Sequence, residues 1–233
     1  MRTLAVVLAV ASLAAAVPGT PPPGTVPGGF VLLGAVAPTI RQEMRYAGAD
    51  NFTGSPVDGY EEPVCLLARP AAEALARAQR AVAVRGFALT VYDCYRPQRA
   101  VDRFVRWAGD AGDQRTKAAY YPRVPKDRLV PEGYIAARSG HSRGSTVDVG
   151  LVRLPRGRPV DFGTPFDFFD PLSHTDSAAV TGAARENRRF LRRVLGERGF
   201  VNLPEEWWHF TYRPEAFPDT HFDFPVAVGS LRP

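Results

Sequence analysis

Ser139-Gly140-His141-Ser142-Arg143-Gly144-Ser145-Thr146-Val147-Asp148 is the stretch on which the reading of this chain turns. A histidine sits in a loop bracketed by Gly140 and Gly144, and an aspartate follows seven residues later in a run of β-branched residues. Gly and Ser around the histidine favour a turn, whereas Thr146-Val147-Asp148-Val149 favours a strand. A loop that feeds a strand can double back, so the side chains of His141 and Asp148 can converge on one point.

A second stretch, Pro204-Glu205-Glu206-Trp207-Trp208-His209-Phe210, adds another histidine and an acid three residues before it. A catalytic zinc takes three nitrogen or oxygen ligands from the protein and keeps a fourth position for water. His141, Asp148 and His209 meet that demand with one Zn2+ per chain. Glu206 is then free to handle the proton of the water that the ion activates. Taken singly, each histidine is as well explained by a polar pocket and each acid by a surface charge; the combination is what points to a metal.

Working outward, Pro70 to Arg85 is Ala-rich with Leu75 and Val82 on helical spacing and Gly86 placed to end it, which predicts a helix. Phe87 to Tyr92 reads as a strand. Further helices are expected after Pro97 through Arg106 and over Ala183 to Glu197, closed by Gly199; short strands are expected over Thr146 to Val152 and His209 to Tyr212. Strands and helices do not alternate in a βαβ rhythm and no repeat is visible, so the fold class is α+β, a single domain. With 45 % hydrophobic and 23 % charged residues, the chain has the material for one catalytic core. Its net charge of +5 is carried by arginines scattered along the chain, with Lys117 and Lys126 the only lysines; scattered charge is a solvated surface, and no nucleic-acid partner is expected.

At the N-terminus, Arg2 precedes an apolar run from Leu4 to Val17 that ends in Ala14-Ala15-Ala16. The run is short for a membrane span and ends as a signal peptidase requires, so residues 1–16 are read as a signal peptide, with no stable membrane span after processing. Residues 17–29, rich in Pro and Gly, read as a linker, and the catalytic domain is expected over 30–233. In an oxidising compartment Cys65 and Cys94 can form a disulfide, worth roughly 3 kcal/mol in the chain-entropy model. Neither lies in a Cys-x-x-Cys or Cys-His pair, which argues against a thiolate metal site.

The motifs Ser139-x-His141-x-x-Gly144-x-x-x-Asp148 and Glu206-Trp207-Trp208-His209 resemble the D-alanyl-D-alanine dipeptidase family, zinc peptidases of vancomycin-type resistance. The resemblance extends to Tyr46 with Asn51-Phe52-Thr53-Gly54, to Asp93-Cys94-Tyr95-Arg96-Pro97, to Tyr120-Tyr121-Pro122, to Gly163-Thr164-Pro165-Phe166-Asp167-Phe168, to Ser173-His174 and to Phe222-Asp223-Phe224-Pro225, nearly all of the chain after the linker. The two metal motifs are shared with D,D-carboxypeptidases and hedgehog-type domains, so they specify the metal more than the substrate. The resemblance implies a central antiparallel sheet flanked by helices. It implies that His141, Asp148 and His209 hold zinc, that Glu206 is general base and then acid, and that Arg96 stabilises the oxyanion. It also implies that Asp167 and Tyr46 receive the ammonium of a free D-Ala-D-Ala dipeptide while Ser139 and nearby backbone donors hold its carboxylate. Trp207 and Trp208 are expected to pack and fix His209, His174 to be structural and His221 to be exposed. Resistance members of the family act in the cytoplasm, so the leader suggests salvage or cell-wall turnover. A D,D-carboxypeptidase acting on stem peptides and a zinc-binding domain without turnover are the competing readings. The oligomeric state is not legible.

Overall fold

The structure is a computed structural model that describes residues 28–231; the expected signal peptide and all but the last two residues of the expected linker lie outside the described residues. Eight strands and five helices follow in the order β1 (Phe30–Leu32), α1 (Leu33–Val36), β2 (Arg41–Gln42), β3 (Leu66–Ala68), α2 (Arg69–Ala83), β4 (Phe87–Asp93), α3 (Gln98–Gly109), α4 (Lys117–Tyr120), β5 (Thr146–Arg153), β6 (Arg158–Pro159), α5 (Gly182–Gly196), β7 (Phe200–Asn202) and β8 (His209–Tyr212). Among the described residues, no helix is long and apolar enough to cross a membrane.

Each predicted helix is present, shifted by one to three residues at its ends. α2 begins with Pro70 in its first turn, buries Ala71, Ala74, Leu75, Ala78 and Val82, and gives way to a turn that closes at Gly86 with φ +76°. That periodicity is the reason it forms: one apolar stripe of small residues lets the helix lie close on the sheet. Gln79, buried on the same helix, accepts the Leu89 backbone N–H at 2.8 Å and ties α2 to β4.

The main sheet has the order β2-β4-β5-β8-β7, with β6 paired to the far end of β5. All pairings are antiparallel except the edge strand β2, which runs parallel to β4. β2 and the small β1–β3 sheet have no alternating signal of their own. They are two or three residues long and are held by their neighbours.

β5 is the axis of the molecule, buried from Thr146 to Val152. Val147, Val149 and Leu151 share one face, and Thr146, Asp148 and Gly150 share the other, as the two-residue strand period requires. In register, Asp148 pairs with Asp93 on β4 and with His209 on β8. Cross-strand partners project from the same face, so three titratable side chains stand abreast on adjacent strands.

Candidate metal centre and substrate cavity

His141 reaches the same place from a 3-10 turn, Gly140–Arg143, that precedes β5. Ser139 caps the turn, its Oγ accepting the His141 N–H at 3.2 Å. Gly144 ends the turn in the left-handed region at φ +76°, and a Cβ there would lie 2.3 Å from the Phe30 ring. The motif glycine is therefore required twice, by its backbone angle and by the ring above it.

The His141 Nε2, His209 Nδ1 and Asp148 Oδ1 atoms form a near-equilateral triangle: 3.3 Å from His141 to Asp148, 3.2 Å from His209 to Asp148 and 3.3 Å between the two nitrogens. Ligands about 2.0–2.1 Å from a tetrahedral ion are separated by about 3.3–3.4 Å, so the triangle has the dimensions of one face of a zinc site. Asp148 Oδ1 is buried and makes no hydrogen bond, despite its two close nitrogen neighbours. An acceptor with nitrogens this near and no N–H aimed at it is what a shared cation would satisfy. Nδ1 of His141 donates to the Cys94 carbonyl at 2.7 Å, which leaves Nε2 as the lone pair that faces the triangle.

Glu206 sits in the turn before β8, its Oε2 3.4 Å from His209 Nδ1. Asn202 Nδ2 donates to the carbonyls of Glu206 and His209, both at 3.0 Å, and so fixes the turn that carries both residues. Trp207 stacks on Phe162 with ring centres 4.0 Å apart and donates from Nε1 to Thr164, whereas Trp208 meets Phe166 edge-on and also lines the cavity. The expected packing role thus holds for both, and Trp208 has a wall of the cavity besides.

Arg96 lies beside the triangle. Its Nε donates to Asp93 Oδ2 at 2.9 Å and its Nη2 is 3.6 Å from Asp148 Oδ2. The guanidinium lies over the rings of Tyr46 and Phe104, 5.1 and 5.0 Å from their centres. Asp93 also accepts the Tyr60 hydroxyl at 2.6 Å and lies 3.4 Å from His141 Nδ1. Asp93 and Tyr60 thus orient the cation next to the metal triangle, a role that sequence reading missed. The available signal was an acid three residues before the arginine in Asp93-Cys94-Tyr95-Arg96.

A cavity of about 360 Å³ opens over these groups, walled by Phe52, Phe104, Phe169 and Trp208. Asp167 lies at its buried side and accepts the Tyr46 hydroxyl at 2.8 Å. Asp167 has φ +59°, the only non-glycine residue described with positive φ, a conformation Asp tolerates but rarely adopts. The loop that holds it so is tied by Arg188, which is buried and donates to the carbonyls of Phe162, Leu172 and His174.

Asp148 and Asp167, both buried, are shifted in opposite directions. Burial would raise Asp148, but His141 and His209 outweigh it and hold the group well below the usual carboxylate range. Burial pushes Asp167 well above that range and repulsion from Asp148 adds to it, with the Tyr46 hydroxyl and Arg96 only partly offsetting them. A cation placed at Asp167 would restore its charge.

Ser139 also lines the cavity. Its oxygen is an acceptor for His141, so its own proton remains for a ligand. His174 is removed from the triangle, its carbonyl bonded to Arg188. His221 departs from expectation: it is half-buried and its Nδ1 accepts from Arg138 at 3.0 Å. Cys65 and Cys94 are disulfide-bonded with Cα atoms 5.4 Å apart.

Residues 27–227 match the family model described as D-ala-D-ala dipeptidase. The chain is 45 % identical over 200 residues to a D-alanyl-D-alanine dipeptidase of Streptomyces coelicolor, covering 86 % of this chain and 99 % of that one. A D-alanyl-D-alanine dipeptidase of Enterococcus faecalis is 42 % identical over 199 residues, 85 % of this chain and 98 % of its own. The protein of that name from Escherichia coli is 33 % identical over 181 residues, 78 % of this chain and 83 % of its own.

Proposed function

This chain belongs to the D-ala-D-ala dipeptidase family of peptidases, and on that premise we propose that it hydrolyses free D-alanyl-D-alanine to two D-alanines with the aid of a zinc ion. The observation that carries the reading is one cavity lined by Asp148 and His209 of the triangle, with His141 buried behind them, and by the buried carboxylate of Asp167. An ion held by the triangle would lower the pKa of water and polarise the scissile carbonyl.

The chain's own residues supply the rest. Asp167, with the Tyr46 hydroxyl on it, receives the substrate ammonium and regains its charge in doing so. Ser139 donates to the carboxylate. Glu206, 3.4 Å from His209, takes the proton of the attacking water and returns it to the leaving amine. Arg96, fixed by Asp93, presents a permanent cation to the oxygen on which charge develops in the transition state. Because that charge is absent from the ground state, the interaction favours rate over binding.

Asp167 also supports a dipeptide over a longer peptide. A substrate with further residues on its N-terminal side has an amide where the ammonium would be, and it leaves a buried carboxylate unmatched against the aromatic walls. Export is part of the proposal: the leader and the Cys65–Cys94 disulfide suit an oxidising compartment, where the enzyme would meet dipeptide released during cell-wall turnover.

The test is D-alanine release by the zinc-loaded protein from D-Ala-D-Ala and, in parallel, from a pentapeptide ending in the same two residues. Cleavage of the dipeptide alone is expected. Cleavage of the pentapeptide moves the enzyme to the carboxypeptidases, and cleavage of neither, with zinc bound, favours a binding domain.

A further inference from the structure

The arginines are scattered along the chain, yet the fold gathers several of them at one end of the sheet. Phe87 of β4, Arg153 of β5 and Arg158 of β6 are in register on three adjacent strands, so their side chains share a face. The Arg153 guanidinium lies over the Phe87 ring, 5.1 Å from its centre. Phe87 meets Phe190 of α5 with ring centres 5.7 Å apart, and Arg193 lies over Phe190 at 5.6 Å. Beside these rings is an open groove of about 410 Å³, bounded by Arg85, Arg189 and Arg193.

Glu186 is the one carboxylate in the wall of that groove, and Arg189 engages it at 2.9 Å. Arg85, Arg153, Arg158 and Arg193 are exposed and have no ion-pair partner among the described residues. Like charges directly opposite on neighbouring strands oppose pairing, so Arg153 beside Arg158 is a cost that an external anion relieves.

Two apolar side chains stand at the same end. Val84, 83 % exposed, is in the turn that closes α2, and Leu154, 47 % exposed, follows β5. The Leu154 N–H donates to the Gly86 carbonyl at 2.8 Å and joins the two loops. A single exposed aliphatic side chain is ordinary. Two on joined loops, among unpaired guanidiniums, have the composition of a surface that lies on an anionic bilayer, with apolar tips for the acyl boundary and cations for the headgroups. A soluble polyanion would engage the cations and leave the tips in water. Asp148 and Arg153 are separated by about 17 Å along β5, at about 3.3 Å per residue, and by strand parity they face opposite sides of the sheet. Contact at the arginine end therefore leaves the cavity open.

We propose that this end of the molecule is a membrane-docking surface, on which Arg85, Arg153, Arg158 and Arg193 bind the phosphates of anionic lipids while Val84 and Leu154 enter the interfacial layer. The proposal goes beyond the dipeptidase reading and does not depend on it. Under the proposed export, its consequence is an enzyme retained at the membrane surface without a membrane span.

The test is sedimentation of the zinc-loaded protein, freed of its leader, with vesicles of phosphatidylcholine alone and of phosphatidylcholine and phosphatidylglycerol in equal parts. Binding to the anionic vesicles alone is expected, and salt should weaken it. Arg153→Gln combined with Arg193→Gln is expected to lower the partition coefficient about 25-fold, from about 5-fold for each basic residue at an anionic surface. Arg85→Gln combined with Arg158→Gln is a second pair with the same expected loss. Val84→Ser combined with Leu154→Ser is expected to lower it about 10-fold, because two aliphatic side chains are withheld from the interface. All six positions are exposed, so urea midpoints are expected to stay at the parent value. Equal binding to both vesicle types, binding to neither, or full binding by both arginine pairs would overturn the proposal. Loss with the arginines but not with the serines, accompanied by arginine-dependent binding of inorganic polyphosphate, would assign the surface to a soluble polyanion and overturn it as well.

Discussion

The carbonyl of Cys94 accepts the Nδ1 proton of His141 at 2.7 Å, so a residue of the disulfide orients a residue of the metal triangle. The bond fixes the tautomer and the ring plane, and backbone partners of metal-facing histidines tune affinity for the ion. Cys65 and Cys94 are 29 residues apart, a loop for which the chain-entropy model gives about 3–4 kcal/mol. Replacing both by Ala is expected to lower stability by about that amount and to weaken zinc roughly 10-fold or more. Urea denaturation and competition with a zinc chelator measure the two effects separately. Unchanged zinc affinity would dissociate the disulfide from the metal centre.

Gly144→Ala is expected to destabilise the fold by about 2–4 kcal/mol, combining the cost of a positive φ with the overlap of its Cβ on Phe30. The check is the urea midpoint at unchanged slope. Because the Gly144 carbonyl also accepts the Ala68 N–H at 2.8 Å, the lesion should spread to β3 and appear as early hydrogen exchange there.

Glu206→Ala is expected to keep zinc and lose turnover by about 10²- to 10⁴-fold, the usual range for one general base. His141→Ala is expected to lose the metal itself and to lower the melting temperature, because metal binding and folding are coupled. Metal content by atomic absorption distinguishes them. A fully active Glu206→Ala enzyme would remove Glu206 from the chemistry.

Asp170 is expected to supply an acid-sensitive component of stability away from the candidate metal triangle. Burial raises its pKa, but hydrogen bonds from Arg123 and from the Leu172 N–H, the latter at 2.9 Å, outweigh that and hold the carboxyl below its usual range. A carboxylate lowered on folding binds fewer protons folded than unfolded, so its contribution is complete above its unfolded pKa near 4 and is lost as pH falls through the folded value. The parent should therefore lose stability below about pH 4. Asp170→Asn should be less stable at neutral pH and flatter on the acid side. Denaturation midpoints across that range are the measurement, and parallel acid limbs would refute the assignment.

What the sequence determined by itself was local. The stripe of Ala71, Ala74, Leu75, Ala78 and Val82 specifies a helix, and Gly86 its end, because helix periodicity and capping are written within one element. The candidate donor set of His141, Asp148 and His209, with the acid Glu206 beside it, was legible because metal chemistry demands particular residue types, whatever their order. Only the tertiary structure decided how they meet. The registers Asp93 to Asp148 and Asp148 to His209 set three side chains abreast, and a shift of one residue would turn them to the opposite face. Tyr46 reaches Asp167 across 121 residues and Tyr60 reaches Asp93 across 33, while Arg138 is left with a histidine 83 residues away. Partners this distant leave no periodic trace in the chain, since their meeting depends on strand register and loop closure over the whole core.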